Sequence, residues 1–189
     1  MENFNLEKQN ALTKKDKSHE QKRDEKIEEL CNKINENLNY FTTSSCAGRI
    51  VLVKSALKKV PNIFLYKTHD LAKVDEVILA LKENVNEEVI YFRQEPCALH
   101  VACKTFEDAV RLLKLAKESG WKRSGIFSTS QGKFVCELCS TEWIVAPLVK
   151  GNELLVNERY VEVLVGEANQ KLEKTWGKIG RLAGLVINI

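Results

Sequence analysis

Short runs in which apolar side chains alternate with a period of two outnumber the helical stripes in this chain, and they arrive in clusters. After Pro61, Ile63, Leu65 and Lys67 alternate against Phe64 and Tyr66. Val89 to Arg93, Ala98 to Cys103, Gly125 to Ser128, Phe134 to Cys139 and Trp143 to Leu148 read as further strands, as does the run ending at Val53. Helical stripes separate these groups. Ile27, Leu30, Cys31, Ile34, Leu38 and Phe41 follow one face, with starts at Ser18 (Gln21 completing a capping box) or at Asp24. Val74, Val77, Ile78 and Leu81 mark a short helix, and Thr105 caps another that Gly120 stops. A long helix runs from about Asn157. Clustered strands predict an α+β fold with a mixed, mostly antiparallel sheet flanked by helices. The order strand–strand–helix–strand, then strand–helix–strand–strand, suggests two related halves within one domain over 1–189, residues 1–17 being a partly ordered arm.

A length of 189 residues fits one domain, and 44% hydrophobic with 29% charged residues is ordinary for a globular chain with a core. No run approaches the roughly 18 apolar residues of a membrane span. Met1 to Ser18 is polar and mixed in charge, unlike a signal or transit peptide, so a cytoplasmic location is expected. Without a secretion signal, the six cysteines read as reduced thiols. The net charge of +3 is well short of a dedicated nucleic-acid binder. Between Arg49 and Lys82, seven basic residues face three acids, which fits either a local positive face or a solvated surface.

The segment Phe41-Thr42-Thr43-Ser44-Ser45-Cys46-Ala47-Gly48-Arg49-Ile50 carries the densest chemistry. Its small side chains admit close approach to the backbone, and Gly48 reaches backbone angles closed to other residues. Ser44, Ser45 and Cys46 supply donors and a soft nucleophile, and Arg49 supplies a fork for phosphate or carboxylate. A Ser/Thr-rich turn before a strand explains the composition equally well.

His100 lies between Leu99 and Val101, so strand alternation turns it away from them, with Glu95 near in sequence. His69 follows a strand end. Trp121, Lys122 and Arg123 sit between two Ser-Gly pairs, a composition suited to base stacking and phosphate contact or to a plain helix-ending loop. Cys136 and Cys139 have CxxC spacing, but inside a strand their thiols point to opposite faces, which argues against a metal site. A Cys46–His100 nucleophile pair is conceivable, a buried structural cysteine being the plainer reading. There is no Gly-rich dinucleotide fingerprint, phosphate loop or HExxH.

Phe41 to Ile50 closely resembles the tRNA wybutosine-synthesising protein 3 family, as do Thr68-His69, Glu95-Pro96-x-x-Leu99-His100-Val101, Ser119-Gly120-x-x-x-Ser124-Gly125-Ile126 and Ala168-Asn169-x-Lys171. Val145-x-Pro147-Leu148, Asp16-Lys17-Ser18 and Asp24-Glu25 also fit, so the likeness spans nearly the whole chain. The resemblance implies an S-adenosylmethionine-dependent tRNA methyltransferase of its own α+β type, not a Rossmann-like one. It further implies action on N4 of the tricyclic guanosine derivative at position 37 of tRNA(Phe), in the anticodon loop, with no metal and no membrane partner. On this reading His100, helped by Glu95, removes a proton, and Ser44, Ser45, Cys46, Gly48, Arg49, Ser124 and Gly125 surround the methyl donor. Asp16, Lys17, His69, Asn169 and Lys171 are then candidate walls on the substrate side. Where the family usually carries Lys-Gly, this chain has Glu20-Gln21, which weakens any grip of the N-terminal arm on tRNA. The alternative is a non-catalytic tRNA-binding protein of the same fold.

Overall fold

A computed structural model describes residues 2–13, 24–55, 63–129 and 132–188. The chain divides into two compact units built from interleaved segments, not from sequential halves. Unit 1 comprises Met1–Ala47, Cys97–Thr141 and Thr175–Ile189; unit 2 comprises Gly48–Pro96 and Glu142–Lys174.

Unit 1 contains the helices α1 (Glu2–Thr13), α2 (Glu25–Glu36) and α4 (Phe106–Glu118) and the strands β1 (Tyr40–Cys46), β5 (Ala98–Cys103), β6 (Gly125–Ser128) and β7 (Phe134–Cys139). The strands form one sheet in the order β1-β5-β7-β6, with every pairing antiparallel. The apolar stripe of α2 (Ile27, Leu30, Cys31, Ile34) joins Ala109, Leu112 and Ala116 of α4, Leu99, Val101 and Cys103 of β5, and Leu138 of β7 in one core. Residues 2–13 are a helix where the sequence suggested an arm. Helix α1 lays Phe4 on Phe41, ring centroids 5.1 Å apart, against Ala102 on the face of the sheet opposite that core.

Local chemistry sets the ends of these elements. Asp24 is the N-cap of α2, accepting from Lys26 N–H at 3.4 Å, so the second of the two possible starts is the observed one. The other, Ser18 with Gln21, lies outside the described residues, as does Gln131 of the turn before β7. Thr105 and Asp108 form a reciprocal capping box at the start of α4. Its end is a Schellman turn: Trp121 N–H donates to Ala116 O at 2.8 Å and Gly120 N–H to Lys117 O at 3.1 Å. Gly120 has a φ of +92°, and a Cβ there would stand 3.0 Å from the Lys178 side chain.

Unit 2 holds β2 (Arg49–Lys54), β3 (Phe64–Thr68), β4 (Val89–Glu95), β8 (Ile144–Lys150), β9 (Glu153–Leu154) and the helix α3 (Val74–Glu83). The sheet runs β3-β2-β4-β8-β9, again antiparallel at every pairing, so the parallel component of the expected mixed sheet does not occur among the described strands. Pro147 has no N–H to give, and the ladder of β8 on β4 is irregular beside it, where Ile90 and Tyr91 shift register. The last helix, α5 (Glu158–Leu185), supplies residues 158–174 to unit 2 and 175–185 to unit 1. Its apolar residues Val161, Leu164, Val165, Ala168 and Leu172 are buried, as are Val77 and Leu81 of α3.

Of the seven basic residues in the Arg49–Lys82 stretch, four pair with acids, and Lys58 and Lys59 lie outside the described residues. Lys54 stands 2.5 Å from Glu87, Lys73 2.8 Å from Glu76, Lys82 2.6 Å from Glu158 and Arg49 2.5 Å from Glu95. Several of these acids are distant in sequence, so a local count of charge could not see them. No helix among the described residues is long and apolar enough to cross a membrane.

Candidate functional site

The Ser-rich segment is a strand, not a turn. In β1, Ser44 lies opposite His100, Ser45 opposite Leu99 and Cys46 opposite Ala98. A bulge between Thr42 and Ser44 changes the parity of the strand. Ser44 and Cys46 therefore share the face of His100, while Ser45 shares that of the buried Leu99. The turn that follows is fixed at two points. Ala47 N–H donates to Asp24 Oδ2 at 3.1 Å, and Gly48 adopts a φ of +94°, a conformation a side chain would strain.

The register continues across the sheet. His100 is opposite Glu137, and Glu137 opposite Gly125, so Ser44, His100, Glu137 and Gly125 form one row on one face. His100 Nε2 lies 3.3 Å from Glu137 Oε1. With Nε2–H donating to that carboxylate, the neutral ring keeps Nδ1 as its acceptor nitrogen. Both side chains are half-buried, 32% and 47% exposed, enough for a substrate to reach them. Phe127 stacks on His100 with ring centroids 5.5 Å apart and planes 17° from parallel.

Ser124 and Trp121 serve the fold. The Ser124 hydroxyl donates to Trp121 O at 2.6 Å and accepts from Cys139 N–H at 3.1 Å. Trp121 is fully buried, and its indole N–H donates to Lys178 O at 3.2 Å, so it is not the stacking ring its composition suggested. The aromatic exposed beside it in sequence is Phe127.

The CxxC thiols do point to opposite faces: Cys136 lies in the core, opposite Val101, whereas Cys139 lies opposite Ala98. Cys136 Sγ sits 3.9 Å from Cys103 Sγ. Their hydrogen bond raises the Cys103 thiol, with burial adding to it, and lowers that of Cys136. No disulfide forms among the six cysteines, all of them described, and no cluster of three His, Cys, Asp or Glu suited to a metal occurs among the described residues.

In unit 2, Arg49 and Glu95 are cross-strand partners on β2 and β4, with Arg49 Nε donating to Glu95 Oε2 at 2.5 Å. The guanidinium also lies 5.3 Å from the Phe64 ring centroid. Engaging Nε leaves the two terminal amino groups of the fork for an anion. Asn169 clamps the loop between β3 and α3. Ala72 N–H donates to Asn169 Oδ1 at 2.8 Å, and Asn169 Nδ2 donates to Ala72 O at 3.0 Å. That loop carries His69, which is half-buried, and Lys171 follows two residues after Asn169. Asp16 and Lys17 lie outside the described residues.

The sequence pattern described as Methyltransferase TYW3 matches residues 5–186. The chain belongs to this family. Within it, a protein of Thermococcus kodakarensis named tRNA(Phe) 7-((3-amino-3-carboxypropyl)-4-demethylwyosine(37)-N(4))-methyltransferase 1 is 40% identical over 184 residues, which are 96% of this chain and 92% of that protein. A tRNA wybutosine-synthesizing protein 3 homolog of Xenopus laevis is 37% identical over 185 residues, 95% of this chain and 73% of that protein. A solved structure of a Pyrococcus horikoshii protein has a TM-score of 0.88 at 35% identity, covering 98% of this chain and 96% of that one. The TYW3 family thus matches in sequence and in its α+β fold of antiparallel sheets, which is not the Rossmann-like arrangement.

Glu137 is the residue of the row that sequence reasoning missed. Its strand was visible, and its polar place between the apolar Cys136 and Leu138 could have been read. Its pairing with His100 depends on a register no local pattern encodes.

Proposed function

We propose that this protein methylates N4 of the tricyclic wyosine-type guanosine at position 37, in the anticodon loop of tRNA(Phe), using S-adenosylmethionine. Family membership across residues 5–186, together with relatives named for that reaction, supports the reading. The observation that carries the chemistry is the row Ser44–His100–Glu137, which sets a half-exposed imidazole against a carboxylate.

S-adenosylmethionine supplies a methyl group already activated by a sulfonium. The protein's task is then mainly alignment and proton removal. His100 receives through Nδ1 the proton that the acceptor nitrogen loses as it gains the methyl group. Glu137 holds Nε2–H, which fixes the tautomer and steadies the imidazolium formed. Ser44 and Cys46, on the same face, offer small polar contacts, and Gly125 leaves its end of the row without a side chain. Ser124 acts through the backbone that its hydroxyl ties together, and Ser45 stands on the Leu99 face of β1. Arg49 fits the donor's carboxylate: its fork keeps two amino groups while Glu95 orients it and Gly48 fixes the turn ahead of it. His69 and Lys171 contact the RNA, together with Asp16 and Lys17, and Asn169 positions the loop bearing His69.

The test is incubation with labelled methyl donor and tRNA from a strain lacking this step, followed by digestion to nucleosides. Label in the tricyclic nucleoside is expected. Binding of tRNA without any transfer would refute the reading in favour of a non-catalytic binder.

A further inference from the structure

We propose that Phe127 and His100 together form a stacking platform for a flat nucleobase, an inference that rests on the reading of His100 as the proton acceptor. Phe127 is 69% exposed, the core position of its short strand being filled by Ile126. The ring therefore adds little to the core, and what singles it out is its geometry beside His100. A bulge between Ile126 and Ser128 takes Phe127 out of the β6–β7 ladder and re-aims it. Its ring then lies nearly parallel to the imidazole, 17° between planes at 5.5 Å. Two rings in that attitude accept a third flat ring on their exposed surface.

The surroundings match a nucleobase more than an apolar partner. The row beside the rings is polar or small, with Ser44 at one end and Gly125 at the other. Lys122 and Arg123, both exposed, stand just before β6 and suit the phosphate a nucleotide carries. The apolar part of the same sheet face, Phe41 and Ala102, is already covered by Phe4 of α1. Two sources present such a ring: the adenine of the methyl donor and a base of the RNA.

Steady-state methylation by Phe127→Ala distinguishes them. Losing one base–aromatic stack weakens binding by roughly 5- to 150-fold. The KM for one substrate is expected to rise by that order while kcat falls much less. A rise for S-adenosylmethionine assigns the adenine, and a rise for tRNA assigns an RNA base. Phe127→Trp restores the KM and Phe127→Leu does not, which separates stacking from mere bulk; a thermal melt confirms that each variant is folded. If neither KM moves in Phe127→Ala while His100→Ala lowers kcat, the platform is overturned and the role of His100 stands. If His100→Ala also keeps its kcat, both readings fall.

Discussion

Replacing Asn169 by alanine separates two roles that a pocket residue can play, touching the substrate or holding the loop that does. The carboxamide makes two hydrogen bonds to the Ala72 backbone, at 2.8 and 3.0 Å, and Ala72 is buried. At about 1 kcal/mol net for each bond, the clamp contributes about 2 kcal/mol to the order of the 69–73 loop. Within the loop Asp70 N–H also donates to the Thr68 hydroxyl at 3.0 Å, and Lys73 pairs with Glu76. The N-cap of α3, Lys73, makes no side-chain capping bond, so Asn169 takes over part of the work a cap would do. If the loop opens locally, a loss of about 2 kcal/mol accelerates amide exchange at Ala72 about 30-fold, while exchange in β4 stays as it was. Native-state hydrogen exchange reads this directly. In Asn169→Asp the carboxylate still accepts from Ala72 N–H but cannot donate to the carbonyl, so an intermediate acceleration is expected. Methylation should weaken in step with exchange, mainly through the KM for tRNA. Lost methylation with Ala72 protection intact would refute the clamp and place Asn169 against the substrate itself.

Trp121→Phe is expected to lose about 2 kcal/mol in urea unfolding, from the indole bond to Lys178 O and the space left behind, with KM values unchanged. A tRNA KM that shifts by more than the stability does would contradict its placement in the core. Arg49→Lys keeps the charge but loses the fork, so S-adenosylmethionine affinity by calorimetry should fall about tenfold while stability changes by less than about 1 kcal/mol, the ion pair with Glu95 being partly solvated. Unaltered donor affinity would remove Arg49 from the donor site. Burial and the neighbouring Asp108 hold the Tyr40 phenol above its ordinary value near 10, so it stays neutral in the fold at a pH where the unfolded chain ionises. Its contribution is therefore whole below pH 10 and lost as pH rises beyond it. Tyr40→Phe should cost about 1 kcal/mol at pH 8, through the lost bond to Asp108 O, and show a shallower decline in melting temperature above pH 10. An equal alkaline slope in both proteins would count against this.

Much of the fold is local and was legible in the chain. Thr105 and Gly120 mark the ends of α4 because a cap bond and a left-handed residue are chemical necessities there. Alternation placed β5, β6 and β7 at their observed bounds, and it turned His100 away from Leu99 and Val101. Helix α1 was missed because it has scattered apolar residues and no stripe; what holds it are contacts with distant residues, among them Phe4 on Phe41, Lys8 on Asn37 O and Glu7 on Lys133. For Trp121 the chain left two readings open, because a buried tryptophan and a stacking tryptophan have the same neighbours in sequence, and the helix-ending loop is the one observed.

The family and the α+β class can be read from the chain alone, since each rests on local pattern or on a near-complete run of specific motifs. Which polar residues become neighbours follows from the folded register. A one-residue bulge in β1 sets the parity that puts Ser44, not Ser45, beside His100. Antiparallel register brings Glu137 to the imidazole and Glu95 to Arg49. Register is fixed by the sum of many side chains finding the core at once, so no short stretch of chain can contain it.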